Sequence, residues 1–147
     1  MAKKELKMHA VVAPTETVVV SAYDKDGKAD ACTLAFYMVS SHIPPCVTIA
    51  INATQRRKTL ADILESNAFV LSFPSISQMK EADYLGVESG YNADKLAEIG
   101  YTTSKAETVN APIIYDEEQV RYLEIGQKVS DAFKPGTEMK KAKGGTQ

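Results

Sequence analysis

Apolar and polar positions along the chain change rhythm twice, and those changes predict short strands first and helices later. Thr17 to Tyr23, TVVVSAY, is β-branched and short, which predicts a strand. Asp24-Lys25-Asp26-Gly27 predicts a turn in which Gly27 supplies the positive φ. Its D-x-D-G opening does not make a calcium loop, because the twelfth position from Asp24 is Ala35 rather than Glu. Ala31 to Val39, ACTLAFYMV, predicts a second strand buried on both faces, and Pro44-Pro45 breaks the chain before a third, Cys46 to Ile51. The period then becomes helical. Leu60, Ile63 and Leu64 fall on one helix face, and Asn67 suits a left-handed terminator. Phe69 to Phe73 predicts a fourth strand, ended by Pro74.

Further on, Ser77 can cap a short helix through Met79, Ala82 and Leu85 that Gly86 stops. Asn92 can cap another, Ala93 to Ile99, stopped by Gly100. Tyr101 to Ser104 and Val120 to Leu123 predict short strands, and Gln127 to Phe133 a terminal helix ended by Pro135-Gly136. Met1 to Met8 reads as a polar arm and residues 139–147 as a flexible tail, leaving 1–138 as a single domain. Hairpin-linked strands with helices between the later ones, and no regular βαβ alternation, predict an antiparallel barrel with helices packed around it.

One stretch stands out within this order. In Ile51 to Asn67, INATQRRKTLADILESN, a strand passes through a polar turn into a helix whose first turn is expected to hold Arg56, Arg57 and Lys58. Cations at a helix N-terminus oppose the dipole by roughly 0.3–1 kcal/mol each. An anion bound there reverses the sign, since free backbone N–H groups, dipole and side chains then converge on it. Thr54 and Thr59 add hydroxyls, so the stretch reads as a phosphate cradle. It is not a P-loop, because no glycine lies between Ala50 and Lys58, and no G-x-G-x-x-G occurs in the chain.

Charge and composition narrow the chemistry. A net charge of −2 argues against general nucleic-acid binding, and no aromatics interleave with the cations. Cys32 and Cys46 are too few and too isolated for a disulfide framework or a zinc site, which points to a reducing compartment. The N-terminus lacks an apolar signal region and no apolar run approaches membrane-spanning length, so cytoplasm is the expected location. His9 and His42 have no ligand partners at metal spacing, and no G-x-S-x-G elbow or Cys–His signature appears. Glu81, Asp83 and Glu88 read as a solvated helix face. Chemistry carried by a bound cofactor is the remaining expectation.

Several stretches, taken in order, resemble the flavin reductase-like family of FMN-binding split barrels, which includes the flavoredoxins. They are PTETVVVSA at Pro14, KADACTLAF at Lys28, PPCVTIAINATQRRKTLADI at Pro44, AFVLSFPS at Ala68, ADYLGVESGYNADKLAEIGYT at Ala82 and VNAPII at Val109. The resemblance implies a mainly β fold with helices, a split β-barrel of Greek-key type. It implies that Cys32, Thr33, Leu34 and Ala35 lie along the isoalloxazine, with Thr33 and backbone amides bonding the ring. Asn52, Thr54, Arg57, Lys58 and Thr59 would then bind the ribityl phosphate. Ser89, Gly90, Asp94 and Lys95 match a loop near the flavin, with Asp83-Tyr84 as weaker matches.

The implied cofactor is FMN, with FAD as the alternative, and NAD(P)H is the implied hydride donor. The implied partners are a second copy of the chain, with flavin near the interface, and a redox partner protein; nucleic acid and membrane are not expected. The sequence departs from the family where Ile113-Ile114 runs directly into Tyr115-Asp116, as though a block of C-terminal barrel strands were skipped. The expectation is therefore a shortened barrel, natural or engineered, acting as a flavin reductase or flavoredoxin-like electron carrier. The alternative is a non-catalytic flavin-binding or structural homodimer domain that has lost the reductase pocket.

Overall fold

The computed structural model describes residues 15–115 and 121–125. The expected N-terminal arm, the terminal helix at Gln127 to Phe133 and the tail at 139–147 lie outside the described residues. Twelve elements are present among them: strands β1 (Val18–Tyr23), β2 (Ala29–Leu34), β3 (Tyr37–His42) and β4 (Pro45–Ile49), helix α1 (Lys58–Ser66), strand β5 (Phe69–Phe73), a 3₁₀ turn (Ile76–Gln78), helices α2 (Met79–Val87) and α3 (Lys95–Glu98), and strands β6 (Thr102–Lys105), β7 (Pro112–Tyr115) and β8 (Arg121–Ile125). A four-stranded sheet has the order β2-β1-β5-β8, and β3-β4 and β6-β7 form two-stranded sheets. Every pairing is antiparallel.

β1 lies inside the sheet and is buried on both faces, which explains its unbroken β-branched run. Val19 packs with Ala31, Ala82, Leu85, Leu96 and Ile114 beneath α2 and α3. Val18 and Val20 face the other way with Leu71, and Tyr37, Val47, Ile49 and Ile63 pack against them. Each such side chain taken from water contributes roughly 1.5–3 kcal/mol. A third cluster, Ala68, Val70, Ala106, Val109, Ala111 and Ile113, ties β5 to the β6-β7 hairpin.

The turn at Asp24 to Gly27 forms as expected, with Gly27 at φ +78° and its N–H donating to the Asp24 carbonyl at 3.0 Å. Asn67 takes the left-handed conformation at the end of α1, φ 52°, and Gly100 follows α3 at φ +73°. The single strand expected over Ala31 to Val39 is instead two, β2 and β3, separated at Ala35-Phe36. β2 belongs to the main sheet, whereas β3 pairs, among the described residues, only with β4, so the chain changes sheets within an apolar run that shows no break in pattern. β4 also begins and ends earlier than Cys46 to Ile51, because its pairing with β3 reaches Pro45 and stops at Ile49.

The helices depart further from expectation. α1 begins at Lys58, with Arg57 extended at the N-cap (φ −93°, ψ 119°), so only one of the three cations lies in its first turn. Its buried residues are Thr59 and Asp62, while Leu64 is 70% exposed, because polar partners from the sheet meet the helix on its inner side. The 3₁₀ turn is capped by Ser75 rather than Ser77: Gln78 Oε1 accepts from the Ser75 N–H at 2.9 Å in a reciprocal box. Gly86 does not end α2 but sits in its last turn, where an added Cβ would lie 3.3 Å from Thr33 Cβ. Asp94 rather than Asn92 caps α3, accepting from Ala97 N–H. β7 is a strand that the apolar pattern alone does not assign.

The inner face of α1 is held by a polar network. Asp30 on β2 is buried, accepts from Thr59 Oγ1 at 2.5 Å and pairs with Lys95 Nζ at 3.3 Å. Lys95, also buried, donates to the Ala31 carbonyl. Gly90 closes over this carboxylate so tightly that an added Cβ would lie 2.4 Å from Asp30 Oδ1. Gly90→Ala should therefore destabilise the protein by about 1–3 kcal/mol through overpacking against a buried ion pair. Urea unfolding checks this, and a midpoint equal to the parent's would contradict the packing.

Candidate functional site

The end of β2 leaves the main sheet at Leu34 and turns outward through Ala35, and a cleft opens beside it. The cleft holds about 470 Å³ and is walled by Thr33, Leu34 and Ala35, by Glu16 and Thr17 before β1, and by Pro74, Ser75, Ile76, Met79, Ala82 and Asp83. Residues 79, 82, 83 and 86 share a face of α2 at helical spacing. Thr33 lies beneath this face, with its hydroxyl donating to the Ala82 carbonyl and its Cβ against Gly86. One turn beyond the cleft, the Gly86 carbonyl accepts from Arg57 Nη1 at 2.6 Å. The strand end and the basic loop before α1 are thereby joined through α2.

That loop is organised by its own side chains. Asn52 Oδ1 accepts from Thr54 N–H at 2.9 Å and from the Thr54 hydroxyl at 2.7 Å. Arg57 Nη2 donates to Gln55 Oε1 at 2.9 Å, which leaves the guanidinium further donors. Ser89 Oγ reaches the Arg56 carbonyl at 3.4 Å, and the Arg56 guanidinium lies 4.8 Å over the Tyr91 ring. No side chain caps α1, and its first turn carries no acidic residue, so its leading N–H groups open onto this loop.

The side chains expected at a ligand divide into two groups. Thr33, Leu34 and Ala35 line the cleft, as does Asp83, while Asn52, Thr54, Arg57 and Ser89 cluster at the basic loop. Cys32, Lys58, Thr59 and Lys95 are turned inward. Cys32 is fully buried beside Thr59, and burial pushes its thiol pKa up. Lys58 Nζ sits between Asp24 Oδ2 at 3.0 Å and Asp62 Oδ2 at 2.9 Å. Thr59 is held by Asp30, and Lys95 by Asp30 and Ala31. The polar side chains of Lys58, Thr59 and Lys95 are thus engaged by the carboxylates of Asp24, Asp62 and Asp30.

The Thr33 hydroxyl is likewise already bonded to α2. Gly90 packs on Asp30, and Asp94 caps α3 while pairing with Lys28 at 2.9 Å. Tyr84 donates to Glu98, whose hydrogen bond holds the phenol up at about 12. The wall made by Pro74, Ser75, Ile76 and Met79 was not among the residues expected at a ligand, because only the capped 3₁₀ turn brings them to the cleft. Among the described residues no group of three or more His, Cys, Asp or Glu is arranged to hold a metal ion. No helix among them is long and apolar enough to cross a membrane.

Residues 8–126 match the family described as flavin reductase like domain. The chain belongs to that family. Among solved structures it is similar to a flavoredoxin of Desulfovibrio vulgaris, at 23% identity and a TM-score of 0.72, covering 92% of this chain and 100% of that one. It is also similar to an FMN-binding domain of a flavin reductases-like enzyme from Shewanella baltica, at 21% identity and a TM-score of 0.67. That match covers 85% of this chain and 61% of the other. A flavin reductase with a split barrel domain from Shewanella frigidimarina matches at 12% identity and a TM-score of 0.65, covering 76% and 55%. These likenesses establish the fold, a split barrel of strands with helices around it. No protein with a curated description matches the chain.

The Lys58 pairings make the protein's stability depend on pH. Partial burial alone would lower the Lys58 ammonium, but Asp62 and Asp24 outweigh it and raise its pKa. Asp24 is pulled up by desolvation and, more strongly in sum, down by the Lys28 and Asp26 N–H groups and by Lys58, so it lies below its ordinary 3.8. A lowered carboxylate contributes stability that is present above its unfolded pKa and is lost as the pH falls through the folded one. Asp24→Asn should therefore lower stability at pH 7 and flatten the acid limb below about pH 5. Urea midpoints between pH 7 and 3 check this, and an acid limb as steep as the parent's would contradict it.

Proposed function

We propose that this protein binds FMN and acts as a flavin reductase or flavoredoxin-like electron carrier, with FAD as the alternative flavin and NAD(P)H as the hydride donor. The observation that carries the reading is the coupling of an apolar strand end to a basic loop: Thr33 packs on Gly86, and Gly86 holds Arg57. A ring beside Thr33, Leu34 and Ala35 and a phosphate at the loop are thus served by one rigid unit. The residues fit such a group. A cleft of about 470 Å³ lies within the usual range for cofactor sites, and its strand wall offers backbone with small or aliphatic side chains.

In this reading the Leu34 and Ala35 segment and the Thr33 backbone orient the ring. Asn52 and Thr54 set the loop, and Arg57 together with the leading N–H groups of α1 holds the phosphate, Lys58 and Thr59 contributing main-chain donors. Ile76 and Met79 exclude water at the mouth of the cleft. Bound flavin supplies the hydride and electron chemistry, while the protein supplies orientation and electrostatics.

The purified protein, titrated with FMN, should bind it with a visible-band shift and quenched fluorescence, and should oxidise NADH or NADPH when flavin is present. Absence of any FMN binding at micromolar concentration would sink the reading. Binding without NAD(P)H oxidation would favour the second reading, a flavin carrier without reductase activity.

The assembly we propose is a homodimer. Among the described residues the β3-β4 hairpin pairs with no other sheet and carries Met38, Val39 and Ile43 at 61%, 73% and 69% exposure, an apolar surface suited to a second copy. Light scattering should give a mass of two chains; one chain at micromolar concentration would contradict it.

A further inference from the structure

We infer that the hollow between β5 and the inner face of α2 is a binding site for one buried water, anchored by the Ser72 hydroxyl. This site does not depend on bound flavin. Ser72 pairs with Val19 across β5 and β1, and side chains directly opposed in an antiparallel pair stand on the same face of the sheet. Val19 packs under α2 with Ala82, Leu85 and Ile114, so the Ser72 side chain enters that same layer. It is 3% exposed there, and its hydroxyl oxygen has no hydrogen-bond partner among the described residues. Ser21, two positions along β1 from Val19 and on the same face, is also buried but donates to the Pro112 carbonyl at 2.7 Å. The layer therefore holds two buried hydroxyls, of which the chain itself satisfies one.

The hollow that Ser72 lines offers about 10 Å³ of room for the centre of a guest, which is the scale of a single water. Val19, Leu85 and Ile114 supply apolar walls, and Gln78 and Tyr101 bring the other polar side chains. No charged side chain lines it, so an ion would lie there without a counter-charge and bear the full cost of desolvation. A hydroxyl buried without a partner also carries a desolvation cost, which a water removes by serving as donor and acceptor. Gln78 is fixed at the start of α2, its Oε1 accepting from the Ser75 N–H at 2.9 Å. A water held between Ser72 and Gln78 thus ties β5 to the start of α2. Pro74 and Ala82 line both this hollow and the cleft, so the tie lies directly behind the cleft wall.

The test follows the water and the hydroxyl separately, on the purified protein. Nuclear Overhauser contacts between water and the methyl groups of Val19, Leu85 and Ile114 should reveal a long-lived water in the parent. They should be lost in Ser72→Ala, which removes the anchor, and in Ser72→Val, whose extra methyl takes the water's place. Urea midpoints give the second readout. With a water bound, Ser72→Ala should lower the midpoint, and Ser72→Val should lie above Ser72→Ala because it fills the space. In a dry hollow Ser72→Ala would instead raise the midpoint by removing an unsatisfied hydroxyl, and that result would overturn the inference. A parent without methyl–water contacts would overturn it as well, and contacts undiminished in Ser72→Ala would remove Ser72 as the anchor. Should Ser72→Val fail to fold, the parent and Ser72→Ala decide the matter between them.

Discussion

A buried carboxylate, Asp30, is the constraint on which the arrangement depends. It sits on β2 with little access to water, and an unpaired charge there would carry a heavy desolvation penalty. Thr59 from α1 and Lys95 from α3 meet it, and the glycine at position 90 lets the intervening turn close over it. Two stretches far from β2 in the chain, α1 and the segment from Gly90 to Lys95, are thereby held to one strand. The bonds also fix how α1 is rotated, since Thr59 must face the sheet.

That rotation sorts the residues around the helix start. With Thr59 inward, Lys58 and Asp62 fall beside Asp24 of the β1–β2 turn and form a partly buried cluster. The two preceding arginines stay outside the helix, one bracing α2 and the other lying on Tyr91. Cations that seem misplaced against the helix dipole thus divide into one neutralised by carboxylates, one used as a brace and one left at the surface. The cleft at the end of β2 depends on the same frame, because Gly86 allows α2 to approach Thr33 closely enough to form one wall.

Much of this was legible in the chain. The β-branched run at Val18 to Tyr23, the Asp24 to Gly27 turn and the Asn67 terminator are local effects, set by side-chain shape and allowed φ/ψ, and each appears where its residues predict. The family resemblance, carried by an ordered set of segments, is matched over residues 8–126. The same segments set Asn52, Thr54 and Arg57 in one loop, whereas the approach of Ser89 to the Arg56 carbonyl is a tertiary contact.

Other features were decided only by the tertiary structure. Nothing in Ala31 to Val39 marks the change of sheet at Ala35, because both strands are apolar and partner choice is a long-range matter. The inner face of α1 could not be read from its leucines, since a buried aspartate thirty residues earlier outweighs them. Whether Lys58 or Lys95 faces a ligand or the interior depends on which carboxylates the fold brings within reach, and those come from other elements. The sequence by itself determined the local elements and the family. Only folding assigned each charge a partner, because Coulomb and desolvation terms depend on distance in space and on burial, not on separation along the chain.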